Sequence, residues 1–328
     1  MCVLSELSLK LLLNMFRLIA LSFVASALAS CSSLQPCVQP FLGATTWTST
    51  DGKQMPWRVW RVPGGTKERC VLITVHGLSG AASDFCLLGE RLPLHGITVY
   101  GYALRGQGND PDVAKRGDID DSETWLRDLM TFHQLVRERH PGVPVVWYGE
   151  SLGSLIALHA AAKHCSCAMP DALILASPVG GLRMHLVELE RVLLRSASHV
   201  LPTYRVRLGA LAGVDENKMR VTSTSTHGEQ MAKTPHHVPA FTLRLLRELD
   251  DLLQANERAA GKLEIPVLML GSPHDVVSSP DQVQALFKQI GSDDKRLLWY
   301  ARSYHLLLHD VQHDEVVRDV ARWVRQRE

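Results

Sequence analysis

The feature that constrains this chain most is a five-residue turn, Gly149-Glu150-Ser151-Leu152-Gly153, placed between two different patterns. Before it, residues 143–148 (VPVVWY) form a short apolar, β-branched and aromatic run, as a buried strand does. After it, residues 152–164 read as a helix. A strand that becomes a helix across so few residues needs flanking positions without bulk, hence glycine at both. The strain of such a turn lifts the serine hydroxyl clear of the sheet.

The rest of the chain keeps the same rhythm. Residues 71–75, 97–102, 172–176, 267–270 and 296–300 repeat the strand pattern. Between them lie helical spacings. Trp125, Leu129, Phe132 and Val136 mark one helix, with Asp120 or Ser122 available to cap it, and residues 281–290 mark another. A last helix carries Val316, Val317, Val320, Trp323 and Val324 on one face. This alternation predicts an α/β fold, with a mostly parallel central sheet flanked by helices.

One interval breaks the pattern. Residues 180–262 show no convincing strand, only amphipathic helices over 182–194 and 241–253 around a polar stretch at 221–237. So long an insertion is not a structureless loop, and it reads as a helical lid with Asp250 and Asp251 on its solvated face. The expected organisation is therefore a core in two parts, 56–179 and 263–328, with the lid at 180–262. A chain of 328 residues, 46% of them hydrophobic, can bury one large core with such an inserted subdomain.

A serine is a poor nucleophile until a base takes its proton. In a sheet of this kind the partners follow in the order serine, acid, histidine, each after a later strand. Asp275 follows the strand at 267–270, and His305 lies between the strand at 296–300 and the final helix. Asp275 is expected to orient His305, and His305 to deprotonate Ser151. His274, His309, His313 and Asp310 lie nearby; His309 and His313 fall at or inside the final helix and read as surface side chains. For the oxyanion, Leu152 offers one backbone N–H and the loop Val75-His76-Gly77-Leu78-Ser79-Gly80 a second, at Leu78. His76 reads as a brace of that loop.

Charge and cysteine content exclude other classes. The formal net charge is +1 and no basic block is present, so nucleic acid is not an expected partner. Uncharged or amphiphilic substrates are permitted. The seven cysteines show no paired zinc spacing, no metal or organic cofactor is implied, and one disulfide of unassigned pairing is compatible with the pattern.

Residues 1–30 read as a targeting segment, with Arg17 before an apolar run from 18 to 28; Met15 is an alternative start. Leu28-Ala29-Ser30-Cys31 resembles the lipobox of bacterial lipoproteins, which implies a lipidated Cys31, a membrane attachment on the cell envelope and a tether within 31–55. Ser32 points in that resemblance to the outer membrane. The alternative is an ordinary signal peptide cut near Ala29, with Cys31 a plain thiol.

Five ordered motifs carry a wider resemblance: His76-Gly77-Leu78, Leu104-Arg105-Gly106-Gln107-Gly108, the serine turn, Gly271 to Asp275 and Ser303 to Asp310. Together they resemble the monoacylglycerol lipase and carboxylesterase group of α/β-hydrolases. That resemblance implies a helical cap over an acyl-binding pocket, ester hydrolysis through an acyl-enzyme, and an oxyanion pair at Leu78 and Leu152. The family often has Asp-x-Arg-Gly-His-Gly where this chain has Ala103-Leu104-Arg105-Gly106-Gln107-Gly108, a departure expected to alter loop bracing rather than chemistry. The expected function is hydrolysis of acyl esters. An acyltransferase or peptidase-like hydrolase on the same scaffold, or a catalytically silent lipid-binding lipoprotein, are the alternatives.

Overall fold

The computed structural model describes residues 38–163, 169–183, 188–207 and 215–327. The targeting segment, Cys31, Cys165 and Cys167 lie outside the described residues. Of the cysteines within them, Cys70 is buried and Cys86 half-buried.

The strands are β1 (Phe41–Leu42), β2 (Thr46–Thr48), β3 (Gln54–Trp60), β4 (Cys70–Val75), β5 (Ile97–Tyr102), β6 (Val145–Glu150), β7 (Ala172–Ala176), β8 (Arg205–Val206), β9 (Phe241–Thr242), β10 (Val267–Gly271) and β11 (Lys295–Trp299). Nine of them form one sheet in the order β1-β2-β3-β5-β4-β6-β7-β10-β11. From β5 to β11 every pairing is parallel, while β1, β2 and β3 extend the sheet in antiparallel fashion. This is the α/β architecture expected. The three antiparallel strands were not legible in the sequence, because β1 and β2 hold too few residues to show a period.

The central strands are buried on both faces, so their side chains sort into two layers by alternation. In β4, Val71, Ile73 and Val75 enter one apolar layer, and Cys70 and Leu72 enter the other. The helices divide accordingly. The first layer holds α2 (Glu123–Arg139), α3 (Leu152–Ala161), α6 (Leu243–Ala260) and α7 (Pro280–Gln289); the second holds α1 (Cys86–Arg91) and α8 (His313–Arg325). Ser122 stands at the N-cap of α2, but its hydroxyl donates to Glu248 of α6 at 2.8 Å instead of capping its own helix.

Between β7 and β10 the chain makes the expected helical excursion, with α4 (Glu188–Val200), α5 (His227–Lys233) and α6. Two details differ from the sequence reading. A short antiparallel ribbon, β8 with β9, crosses the segment; two residue pairs leave no pattern to read. Asp250 is not on a solvated face. It is 8% exposed and accepts from Arg191 of α4 at 3.3 Å, which joins the two long helices of the insertion. Helical periodicity alone does not reveal that a second helix covers that face.

Candidate active site

The order β5-β4-β6 makes β4 and β6 neighbours whose outgoing connections leave on opposite faces, through α1 and α3. A crevice opens at the strand ends where connections diverge in this way. Register places Val75 opposite Gly149, so the loop after β4 and the turn after β6 emerge side by side.

Ser151 sits in that turn at φ 54° and ψ −118°, a region that costs a non-glycine residue about 1–3 kcal/mol. The surroundings hold it there. Its N–H donates to Ala176 O at 3.1 Å, and Ser154 Oγ donates to its carbonyl at 2.6 Å. The glycines are required by close approach. A Cβ on Gly153 would stand 1.9 Å from Val75 O, and one on Gly149 would stand 2.3 Å from Gly153 O. Sequence and geometry agree here because the constraint is local.

Three separated loops converge on this serine. His305 Nε2 lies 3.0 Å from Ser151 Oγ, and His305 Nδ1 lies 2.9 and 3.0 Å from the two oxygens of Asp275. With the carboxylate accepting at Nδ1, the proton is on Nδ1 and Nε2 is left to accept from the serine. Asp275 is 2% exposed, and it also accepts from Val277 N–H at 2.7 Å. Burial disfavours the charged imidazolium of His305, but the Asp275 and Glu150 carboxyls outweigh it and raise its pKa above the ordinary histidine value. It is His305, rather than His309 or His313, whose ring meets the serine. His274 instead stacks on Tyr304, with ring centroids 5.3 Å apart.

The loop after β4 comes close to the serine from the other side. A Cβ on Gly77 would be 3.3 Å from Ser151 Cβ. Gly80 N–H closes a turn onto Gly77 O at 3.1 Å, with Ser79 at φ 63° inside it. Leu78 N–H lies in this turn and Leu152 N–H opens α3, and neither donates to an acceptor among the described residues. Leu152 N–H stands at the positive end of α3, which favours an anion there. His76 is fully buried; its Nε2 accepts from Leu104 N–H and its Nδ1 contacts Gly77 O, both at 2.9 Å. Burial lowers its pKa, so it is a neutral brace.

Several supports of the site make contacts that the sequence did not reveal. Gln107, which stands where the family pattern has histidine, accepts from Ser79 N–H at 2.7 Å and so fixes the turn around Leu78. Ser79 Oγ accepts from Val238 N–H at 2.6 Å and faces His237 Nδ1 at 3.2 Å, which attaches the same turn to the insertion. Ser177 Oγ donates to His305 O at 2.5 Å. Glu150, beside the nucleophile, is 4% exposed with Oε1 unpartnered. Burial and the nearby Asp84 carboxyl push its pKa up to about 7, against the pull of His305. Gln107, Glu150 and Ser79 fell inside motifs or loops singled out in the sequence; Ser177 did not.

The family model described as serine aminopeptidase, S33 (Hydrolase_4) matches residues 66–312. The monoglyceride lipase of Rattus norvegicus is 24% identical over 296 residues, covering 88% of this chain and 92% of that protein. The carboxylesterase of Bacillus subtilis is 22% identical over 263 residues, covering 78% and 92%. A solved structure of a soluble variant of monoglyceride lipase from Saccharomyces cerevisiae, in complex with a substrate analog, superposes with a TM-score of 0.73. It is 19% identical and covers 90% of this chain and 97% of that one, a likeness of fold.

Proposed function

The chain belongs to the serine aminopeptidase S33 family (Hydrolase_4) of α/β-hydrolases, and from that premise we propose that it hydrolyses acyl esters with Ser151, His305 and Asp275 as its triad. The observation that carries this reading is the continuous contact from Asp275 through His305 to the strained Ser151. His305 takes the proton of Ser151 Oγ as that oxygen attacks the ester carbonyl. The oxyanion forms between the N–H groups of Leu78 and Leu152, where a preorganised pair of donors is worth several kcal/mol, about 3 for each donor. His305 then gives the proton to the leaving alcohol, and water repeats the cycle on the acyl-enzyme.

The substrate class follows from the relatives and from the insertion. Two of the relatives are a monoglyceride lipase and a carboxylesterase, both named for ester cleavage. The insertion acts as a lid. Its helix α4 presents Leu189, Val192, Leu193 and Val200 to solvent, a row suited to amphiphilic esters such as monoacylglycerols or lysophospholipids. Attachment to the cell envelope through a lipidated Cys31 belongs to the same proposal. It rests on the lipobox-like Leu28 to Cys31 and predicts that Cys31→Ser leaves the membrane fraction.

The test is labelling with a fluorophosphonate, with a panel of acyl esters and aminoacyl amides. An adduct on Ser151, absent from a folded Ser151→Ala protein that has lost nearly all turnover, supports the reading. The peptidase-like reading, favoured by the family's aminopeptidase description, gains if amides outpace esters. Folded protein that takes no label and turns over no ester rejects the enzyme.

A further inference from the structure

Asp310 lies five residues beyond His305, is 3% exposed, and is absent from the contact between serine, histidine and acid. A buried carboxylate requires several donors to offset its lost hydration. Asp310 has them from two directions. From the histidine loop, Tyr304 N–H donates at 2.7 Å and Val311 N–H at 2.8 Å. From the insertion, Ser223 donates through its N–H at 2.9 and 3.0 Å to the two oxygens and through Oγ at 2.5 Å. Burial opposes the charge, but these bonds outweigh it and hold the carboxyl below the usual range.

The other side of the histidine is tied to the same part of the insertion. Leu306 N–H donates to Val221 O at 3.0 Å, so the residues before and after His305 are both attached to the turn at 221–226. That turn is compact and partly buried. Val221 N–H and Thr222 N–H both donate to Ser225 O, at 3.1 and 3.2 Å, and the Thr222 and Ser225 hydroxyls meet at 2.6 Å. Thr222 is fully buried. Thr226 then caps α5, so the turn moves as one piece with the helix that follows.

We propose that Asp310 is a positioning residue that seats His305 on the 221–226 turn, so that the triad is aligned only while this part of the insertion is docked. The proposal rests on His305 being the catalytic base. The inserted segment is then part of the machinery that places the base, as well as a cover. Displacing the turn frees Tyr304 and Leu306, and with them the backbone that carries the imidazole. A shift of about 1 Å in a catalytic group far from any direct contact costs on the order of 100-fold in rate.

The experiment compares Asp310→Asn, Ser223→Ala and their combination on a short, soluble ester, with kcat and KM separated. A proton resonance for His305 Nδ1–H serves as the second readout. Asp310→Asn keeps the shape and loses the charge, and Ser223→Ala removes one hydroxyl from a half-buried position, so the pair covers the case in which the first variant fails to fold. The expected result is a kcat loss of about 10- to 100-fold for Asp310→Asn and a smaller loss for Ser223→Ala. KM should stay within about threefold, the double variant should be no worse than Asp310→Asn alone, and the Nδ1–H resonance should broaden or shift. Wild-type kcat and an unchanged resonance in folded Asp310→Asn, or strictly additive losses in the pair, overturn the proposal. An active His305→Ala protein would instead remove the reading of His305 on which it rests.

Discussion

The serine turn and the insertion solve the same problem, holding a side chain still, by opposite means. Ser151 is fixed by packing: β4, β6 and α3 are buried from end to end, and backbone approaches below van der Waals distance of any Cβ leave Gly149 and Gly153 no alternative. Beyond α6, whose apolar face packs into the first layer, the insertion is fixed by polar contacts at its edges. Asp310 holds Ser223, Ser79 holds Val238, and Arg183 Nε donates to Asp275 O at 2.6 Å where the excursion begins. Meanwhile α4 leaves an apolar row in water. Ser151 is thus held by the packed core, while Asp275 and His305 stand on loops that also contact the insertion.

The sharpest test of this contrast is in the histidine and the acid proposed to serve Ser151. His305→Ala and Asp275→Asn are each expected to lower kcat by about 10⁴-fold, with His309→Ala within about threefold of wild type. A severe His309 effect beside a mild His305 effect would reverse the assignment. Gly153→Ala attacks the packed region instead. Its methyl group meets the Val75 carbonyl at 1.9 Å, so about 3 kcal/mol or more of stability should be lost in urea unfolding. Near-native stability would show that this turn relaxes more than its packing implies.

The pH dependence probes the boundary between the two regions. With His305 as the proposed base, catalysis requires its neutral form, so kcat/KM should fall as pH drops through a midpoint above the ordinary histidine value of 6.5. Glu150 helps to raise that midpoint, and Glu150→Gln should move it down. Stability gives a second sign. The Glu150 carboxyl ionises near 4.5 when unfolded and at about 7 when folded, so ionisation penalises the native state as pH rises through that window. Glu150→Gln should therefore gain little at pH 4 and up to about 3 kcal/mol at pH 8. A gain independent of pH would mean that Glu150 is not the titrating group. The smallest effect is expected within the insertion. Arg191→Ala leaves Asp250 its contacts with Arg195 and Gln254, and should cost about 1 kcal/mol or less with turnover within twofold. A large loss of turnover would show that the pairing of α4 with α6 also sets the site.

What the sequence determined by itself is whatever short-range physics writes into neighbouring residues. Alternation and helical spacing marked the parallel strands, their helices and the inserted interval, and two glycines around Ser151 marked the turn. The order of Ser151, Asp275 and His305 along the chain then followed from where strands end. Only the tertiary structure decided the supports. Gln107 under Ser79, Ser177 on the His305 carbonyl, Asp310 beneath Ser223 and Asp250 beneath Arg191 are held by hydrogen bonds between residues distant in sequence. Ser79 and Val238 are 159 positions apart, as one example. Such contacts have no period and need no particular neighbours in sequence. They exist because the fold closes water out of that space, and each polar group enclosed there has to find its partner across it.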